Sequence, residues 1–286
     1  MLLRRLLFLI VLAGCSAQPD AQMSASDRDT LARTGEAHAH DVPVATPAAT
    51  TPPVAAVTGQ TIRYGEVGGV PVEGYLVRPK AARGGLPGLI VIHEWWGLND
   101  NVRDEAARLA AEGFVVLAVD LYAGKVATQP PDAMKLAQAL TANPGPAEEN
   151  LRAAYAWLDE VEKAPRIGTV GWCLGGRWSL RTALLLPDQV DATVIYYGTV
   201  KADQGELARL QMPILGLFAS QDRVVPAATV TAFEATLKRL GKDVDIHMYE
   251  GAEHGFANPS GTAYEPGAAE DAWRLTTDFL REHLAR

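Results

Sequence analysis

The chain reads as an α/β protein on a mainly parallel, doubly wound sheet with helices on both faces. Three observations predict this. Short, near-continuous apolar runs such as "GLIVI" and "VVLAV" have the composition of strands buried on both sides. They alternate with longer amphipathic stretches, the pattern of strand, crossover helix, strand. At 286 residues and 48% hydrophobic content, the chain can also bury the core that one such domain requires.

Taken in order, residues 1–14 stand apart. Arg4 and Arg5 precede the apolar run Leu6–Ala13, which is too short to span a bilayer and has the form of a secretion signal. The ending "LAGC" resembles the lipobox of bacterial lipoproteins, which implies cleavage before Cys15 and a lipid on that cysteine. Ser16 follows Cys15 where an aspartate would resemble inner-membrane retention, so the expected place is the outer membrane, facing the periplasm. Residues 15–59 are rich in Ala, Thr, Pro, Asp and Ser with few large apolar side chains, and read as a flexible tether. Within them "EAHAHD" sets His38 and His40 beside acids, but one short tract cannot close a coordination sphere, and a solvated run is expected.

The folded domain is expected over 60–286. "TIRYGE" and "VPVEGYLVRP" read as a leading antiparallel pair, "GLIVIHE" and "FVVLAVDLY" as buried strands. Helical patterns follow in "NVRDEAARLAAEG", ended by Gly113, in "PDAMKLAQALT" and in "AEENLRAAYAWLDEVEK". Next come the strand "RIGTVGW", a helix from about Leu174, the strands "VDATVIYYG" and "PILGLFA", a helix near Pro226, the strand "VDIHMYE" and a closing helix from about Ala268. The balance of 26 Lys+Arg against 34 Asp+Glu, net −8, argues against a nucleic-acid partner, which rewards clustered cations.

In such a sheet chemistry belongs at the carboxyl ends of the strands, where Glu94, Cys173, Asp222 and His254 fall. Gly171, Cys173 and Gly175 have the spacing of a nucleophile elbow, a tight strand-to-helix turn that requires small flanking residues. A cysteine there sits at the positive end of a helix, which favours thiolate. Cys173, Asp222 and His254 also follow the α/β-hydrolase chain order of nucleophile, acid, histidine. His254 would take the thiol proton and later activate water, and Asp222 would fix its tautomer.

From about Thr61 onward, "HEWWGLND", "VDLYAGK", "GWCLGGRW", "ASQDRVVP" and "YEGAEHGFAN" resemble the dienelactone hydrolase family. The resemblance implies an α/β-hydrolase fold and acyl transfer from an ester or lactone through Cys173, His254 and Asp222. It implies that Glu94 helps generate the thiolate when substrate binds, that the backbone N–H groups of Leu174 and Trp95 hold the oxyanion, and that no cofactor or metal is needed. Trp96, Trp172, Tyr122 and Lys125 are candidates for the substrate pocket. Family members acting on dienelactone carry two carboxylate-gripping arginines where this chain has Gly124 and Asn258. Lys125 lacks the bidentate fork of arginine, so a neutral ester or lactone is expected in place of dienelactone. Two alternatives stay open: a non-catalytic binding lipoprotein on the same fold, and a thiol redox sensor at Cys173.

Overall fold

The computed structural model describes residues 23–43, 52–81 and 84–285. The expected signal segment and the lipidation site Cys15 lie outside the described residues. The elements run α1 (Ala25–Ala37), β1 (Val57–Val67), β2 (Val70–Pro79), β3 (Gly88–Ile92), α2 (Asp100–Ala111), β4 (Val115–Val119), α3 (Pro130–Ala142) and α4 (Gly145–Glu160). They continue with β5 (Ile167–Trp172), α5 (Leu174–Leu185), β6 (Ala192–Tyr196), α6 (Gln204–Leu207), β7 (Ile214–Ala219), α7 (Ala227–Arg239), β8 (Val244–Tyr249) and α8 (Pro266–Leu284).

The strands form one eight-stranded sheet in the order β1-β2-β4-β3-β5-β6-β7-β8. The first two are an antiparallel hairpin, β2 joins β4 antiparallel, and β3 to β8 are parallel. Pleating divides the core as the apolar runs demand. Leu89, Val91 and Val170 pack with Val102, Ala106 and Leu109 of α2 and with Leu280 and Leu284 of α8. Ile90, Ile92 and Ile167 pack with Leu151, Ala154 and Leu158 of α4. Beyond β5 a third cluster joins Ile195, Ile214 and Phe218 to Phe233 and Leu237 of α7. The register levels the carboxyl ends: Ile92 pairs with both Val119 and Gly171, and Trp172 with Tyr196. Glu94, Cys173, Tyr197, Asp222 and His254 therefore leave the sheet along one edge.

The expectation for 15–59 requires correction. Its last residues belong to β1, which starts at Val57, and its described middle is helix α1. Ser24 caps that helix by accepting a hydrogen bond from the Asp27 N–H at 3.1 Å. Thr30, Leu31 and Thr34 are buried. Leu31 packs with Trp95, Trp96 and the Ala133 and Ala137 face of α3, and Arg177 of α5 pairs with Asp27 at 2.9 Å. One leucine gives little hydrophobic signal, so α1 depends on a receiving surface assembled by α3, α5 and the β3 end. No described helix is long and apolar enough to cross a membrane.

Candidate active site

Cys173 occupies the turn between β5 and α5 with φ 53° and ψ −116°, a left-handed setting that strains any residue with a Cβ. The chain has no room to relax. A Cβ on Gly171 would lie 2.2 Å from the Gly175 carbonyl oxygen, and one on Gly175 would lie 2.1 Å from that of Ile92. The Cys173 N–H donates to the Tyr196 carbonyl at 3.0 Å, which ties the turn to the next strand. The result is a rigid elbow holding the sulfur above the β3 and β5 ends.

The structure brings Cys173, His254 and Asp222 together. His254 Nε2 lies 3.1 Å from Cys173 Sγ, and His254 Nδ1 lies 2.8 Å from Asp222 Oδ2. The other carboxylate oxygen, Asp222 Oδ1, accepts from the N–H groups of Val224 and Val225 at 2.7 and 2.8 Å. All three residues are buried, and the Tyr197 ring packs edge-on against His254. An acceptor nitrogen next to a thiol, oriented by a fully engaged carboxylate, can remove and return one proton.

The electrostatics correct the expectation that the helix end keeps the sulfur as thiolate. Burial pushes the Cys173 thiol up; His38 and the Leu174 N–H favour the thiolate and the Glu94 carboxylate opposes it, and the net shift is upward. Desolvation outweighs the helix terminus, so the resting group is a thiol. The Leu174 N–H, an expected oxyanion donor, faces Sγ from the first turn of α5. Trp95, the other residue expected there, is buried at the β3 end.

Glu94 is half-buried, and its carboxyl is raised chiefly by desolvation. Its oxygens accept from Asn258 Nδ2 and, at 3.4 Å, from the Tyr197 hydroxyl. Asn258 is thus an anchor for Glu94. The neighbouring His93 fixes the local backbone: its Nε2 accepts from the Leu121 N–H at 3.1 Å, and its Nδ1–H donates to the Glu94 carbonyl at 2.5 Å. Burial lowers its pKa, consistent with that neutral tautomer.

Sequence reasoning missed a second histidine at the thiol. His38, just past the end of α1, is 3% exposed and pairs through Nδ1 with Asp41 Oδ2 at 2.7 Å. Asp41 in turn accepts from the N–H and Oγ1 of Thr262 at 2.9 and 2.6 Å. The His38 ring stands 5.1 Å from that of Trp95 and 5.3 Å from that of His254, centroid to centroid. Burial opposes charge on His38, but Asp41 and the adjacent sulfur outweigh it and raise its pKa to about 9. The motif "EAHAHD" carried this signal; its small, polar neighbours disguised it, and His40 is indeed exposed.

The cavity over Cys173 is small. It holds about 30 Å³ between Thr30, Leu31 and Thr34 of α1 and Trp95, Tyr197 and His254, room for a water or two and for no ester. A second cavity of about 290 Å³ opens on the far side of Trp172, lined by Arg108, Tyr264 and Trp273 among others. Of the expected pocket residues, Trp172 borders that larger space, whereas Trp96 packs under α1 and Tyr122 packs in the core. Lys125 is exposed. Gly124 lies in a surface turn at φ 84°, its N–H directed to Asp120.

Comparison with known proteins gives matches over most of the chain. Residues 72–284 match the profile of the dienelactone hydrolase family. Protein usf of Aquifex pyrophilus is 36% identical over 233 residues, covering 79% of this chain and 99% of its own. A protein of Aquifex aeolicus (strain VF5), provisionally named a carboxymethylenebutenolidase, is 31% identical with the same coverage of both chains. Among solved structures, a provisionally assigned dienelactone hydrolase from Klebsiella pneumoniae superposes with a TM-score of 0.72 at 25% identity, covering 79% of this chain and 99% of that one.

Proposed function

The chain belongs to the dienelactone hydrolase family and is a hydrolase of carboxylic esters or lactones; from that premise we propose that Cys173 is its nucleophile. The observation that carries this reading is the unbroken line from Asp222 to His254 Nδ1 and from His254 Nε2 to Sγ, at 2.8 and 3.1 Å. On substrate binding His254 Nε2 takes the thiol proton and Sγ attacks the acyl carbon. At rest the Glu94 carboxylate opposes the thiolate; its assistance to ionisation, which the family resemblance implies, requires that substrate binding displace it from Tyr197 and Asn258. The oxyanion rests on the Leu174 and Trp95 N–H groups. His254 returns the proton to the leaving alkoxide, and the thioester is then cleaved by water that His254 deprotonates. A redox sensor needs a solvent-reached thiol of low pKa, whereas Cys173 is 5% exposed and its pKa is raised.

The substrate in this reading is a neutral ester or lactone small enough to reach the elbow. Gly124 and Asn258 bring no cation to grip a substrate carboxylate, and Asn258 is engaged with Glu94. The test is turnover of a panel of p-nitrophenyl esters and lactones, dienelactone included. Cys173→Ala should lower kcat by at least ~10³-fold with folding intact; retained activity would remove the nucleophile. Preferred turnover of dienelactone would remove the substrate reading.

The reading also places the enzyme on a membrane. Cys15 would carry lipid after cleavage of residues 1–14 and hold the domain at the outer membrane, facing the periplasm. The support is the spacing of Arg4, Arg5, the apolar run and "LAGC". Cys15→Ala should move the protein from the membrane to the soluble fraction, and its retention on the membrane would refute the anchor.

A further inference from the structure

We propose that docking of the 23–43 segment completes a binding site for a borderline divalent cation of the zinc type, with His38 Nε2, Cys173 Sγ and His254 Nε2 as ligands. One ligand atom from each of these residues lies within 4.8 Å of the other two, and all three residues are buried. A tetrahedral zinc ion bound at its usual N and S distances sets its ligand atoms about 3.5 Å apart. The His254 to Sγ contact is 3.1 Å and no two of the three ligand atoms lie more than 4.8 Å apart, so seating the ion asks for shifts of about an ångström.

Two features beyond proximity point to a cation. His38 Nε2 is buried and makes no hydrogen bond of ordinary geometry among the described residues, facing only the Cys173 sulfur, although Nδ1 of the same ring is held by Asp41. Both imidazoles also have the outer support that metal-binding histidines have. His254 presents Nδ1 to Asp222 and His38 presents Nδ1 to Asp41, each carboxylate being fixed by further donors. That arrangement directs each Nε2 lone pair at the centre and strengthens it as a ligand. Two imidazoles and a thiolate with a fourth position open form a donor set suited to zinc. Binding displaces the Sγ proton and the Nε2 proton of His38, whose pKa is raised to about 9, and both leave to solvent so that each histidine meets the ion as neutral imidazole.

The proposal is separate from the hydrolase reading and bears on it in one way: a ligated Cys173 sulfur cannot attack an acyl carbon. Because His38 comes from α1's end and the other two ligands from the sheet edge, the ion would form only with the segment docked. Bound there, it would clamp α1 over the closed cavity.

The experiment uses the full-length protein with Cys15→Ser, so that Cys173 is its only thiol. After chelator treatment it is titrated with Co²⁺, following the thiolate-to-cobalt charge-transfer absorption, and the cobalt is then displaced with Zn²⁺. One ion per chain is expected, with absorption lost in Cys173→Ser. His38→Ala should weaken binding by at least ~100-fold and Asp41→Asn by ~10–100-fold. His38→Cys should restore binding with stronger charge-transfer absorption, an outcome that separates a lost ligand from an undocked helix. Absence of the thiolate band in the parent protein, or equal affinity in His38→Ala, would overturn the site. Ester turnover of the metal-free protein is read separately. Turnover without cobalt binding leaves the hydrolase and sinks the site, whereas cobalt binding without turnover does the reverse.

Discussion

At the residue scale, the role proposed for Asp222 predicts that its pair with His254 tolerates no polar substitute. Its Oδ1 accepts from two backbone N–H groups while Oδ2 takes the His254 Nδ1–H. In Asp222→Asn the amide oxygen must stay on Val224 and Val225, because turning Nδ2 there would set donor against donor. The NH₂ then faces His254 Nδ1, which must accept, and the ring proton moves to Nε2 opposite the sulfur. The base is lost without loss of shape. We expect kcat on a p-nitrophenyl ester to fall by ~10³–10⁴-fold with an unchanged thermal midpoint; a loss of less than tenfold would show that Asp222 does not set the tautomer. That Cys173, Asp222 and His254 would meet was legible in the sequence because each sits in a motif that local backbone requirements write out, the glycines of the elbow above all. Glu94 was legible as a strand-end acid. Its partners Asn258 and Tyr197 were not, since a hydrogen bond across 164 residues leaves no local pattern.

At the element scale, α1 is the part sequence patterning conceals. Strands and crossover helices declare themselves by apolar periodicity, but α1 buries a single large apolar side chain, Leu31. Burial of a leucine contributes about 2 kcal/mol, too little to mark a helix and enough to seat one on a prepared surface. Charge does part of the docking. Burial works against ionised Asp27, yet the Ser24 hydroxyl and the Arg177 and Lys201 cations together hold its carboxyl below the usual range. A group depressed on docking contributes stability fully present above its free value near 3.8, lost as pH falls through the docked value. Acid should therefore release α1, seen as a change in the fluorescence of Trp95 and Trp96, which Leu31 covers. Asp27→Asn should loosen α1 already at neutral pH and shrink the acid step. An acid profile identical in parent and Asp27→Asn would mean that this ion pair does not hold the helix.

At the scale of the whole molecule, the parallel sheet and its flanking helices form a complete core to which the N-terminal segment is added. Leu31 contacts Trp95, Trp96 and α3, and none of the sheet's own core clusters includes a residue of α1. The alternation of apolar runs and amphipathic stretches sufficed to read this body, because parallel strands buried on both faces leave an unmistakable composition. It could not reveal a closed site, which depends on one segment folding back over the edge where the strands end. Removing residues 1–51 should leave a cooperatively folded domain, since none of the sheet's core clusters draws on α1, and should open the cavity of about 30 Å³ beside Cys173. Hydrolysis should then change with substrate size: kcat/KM for bulky acyl groups should rise in the shortened protein, while that for acetyl esters changes little. A series of p-nitrophenyl esters of increasing acyl length, measured on both proteins, reads this directly. If both proteins show the same dependence on acyl length, substrate reaches the sulfur by another route, and the larger space behind Trp172 becomes the place to look for it.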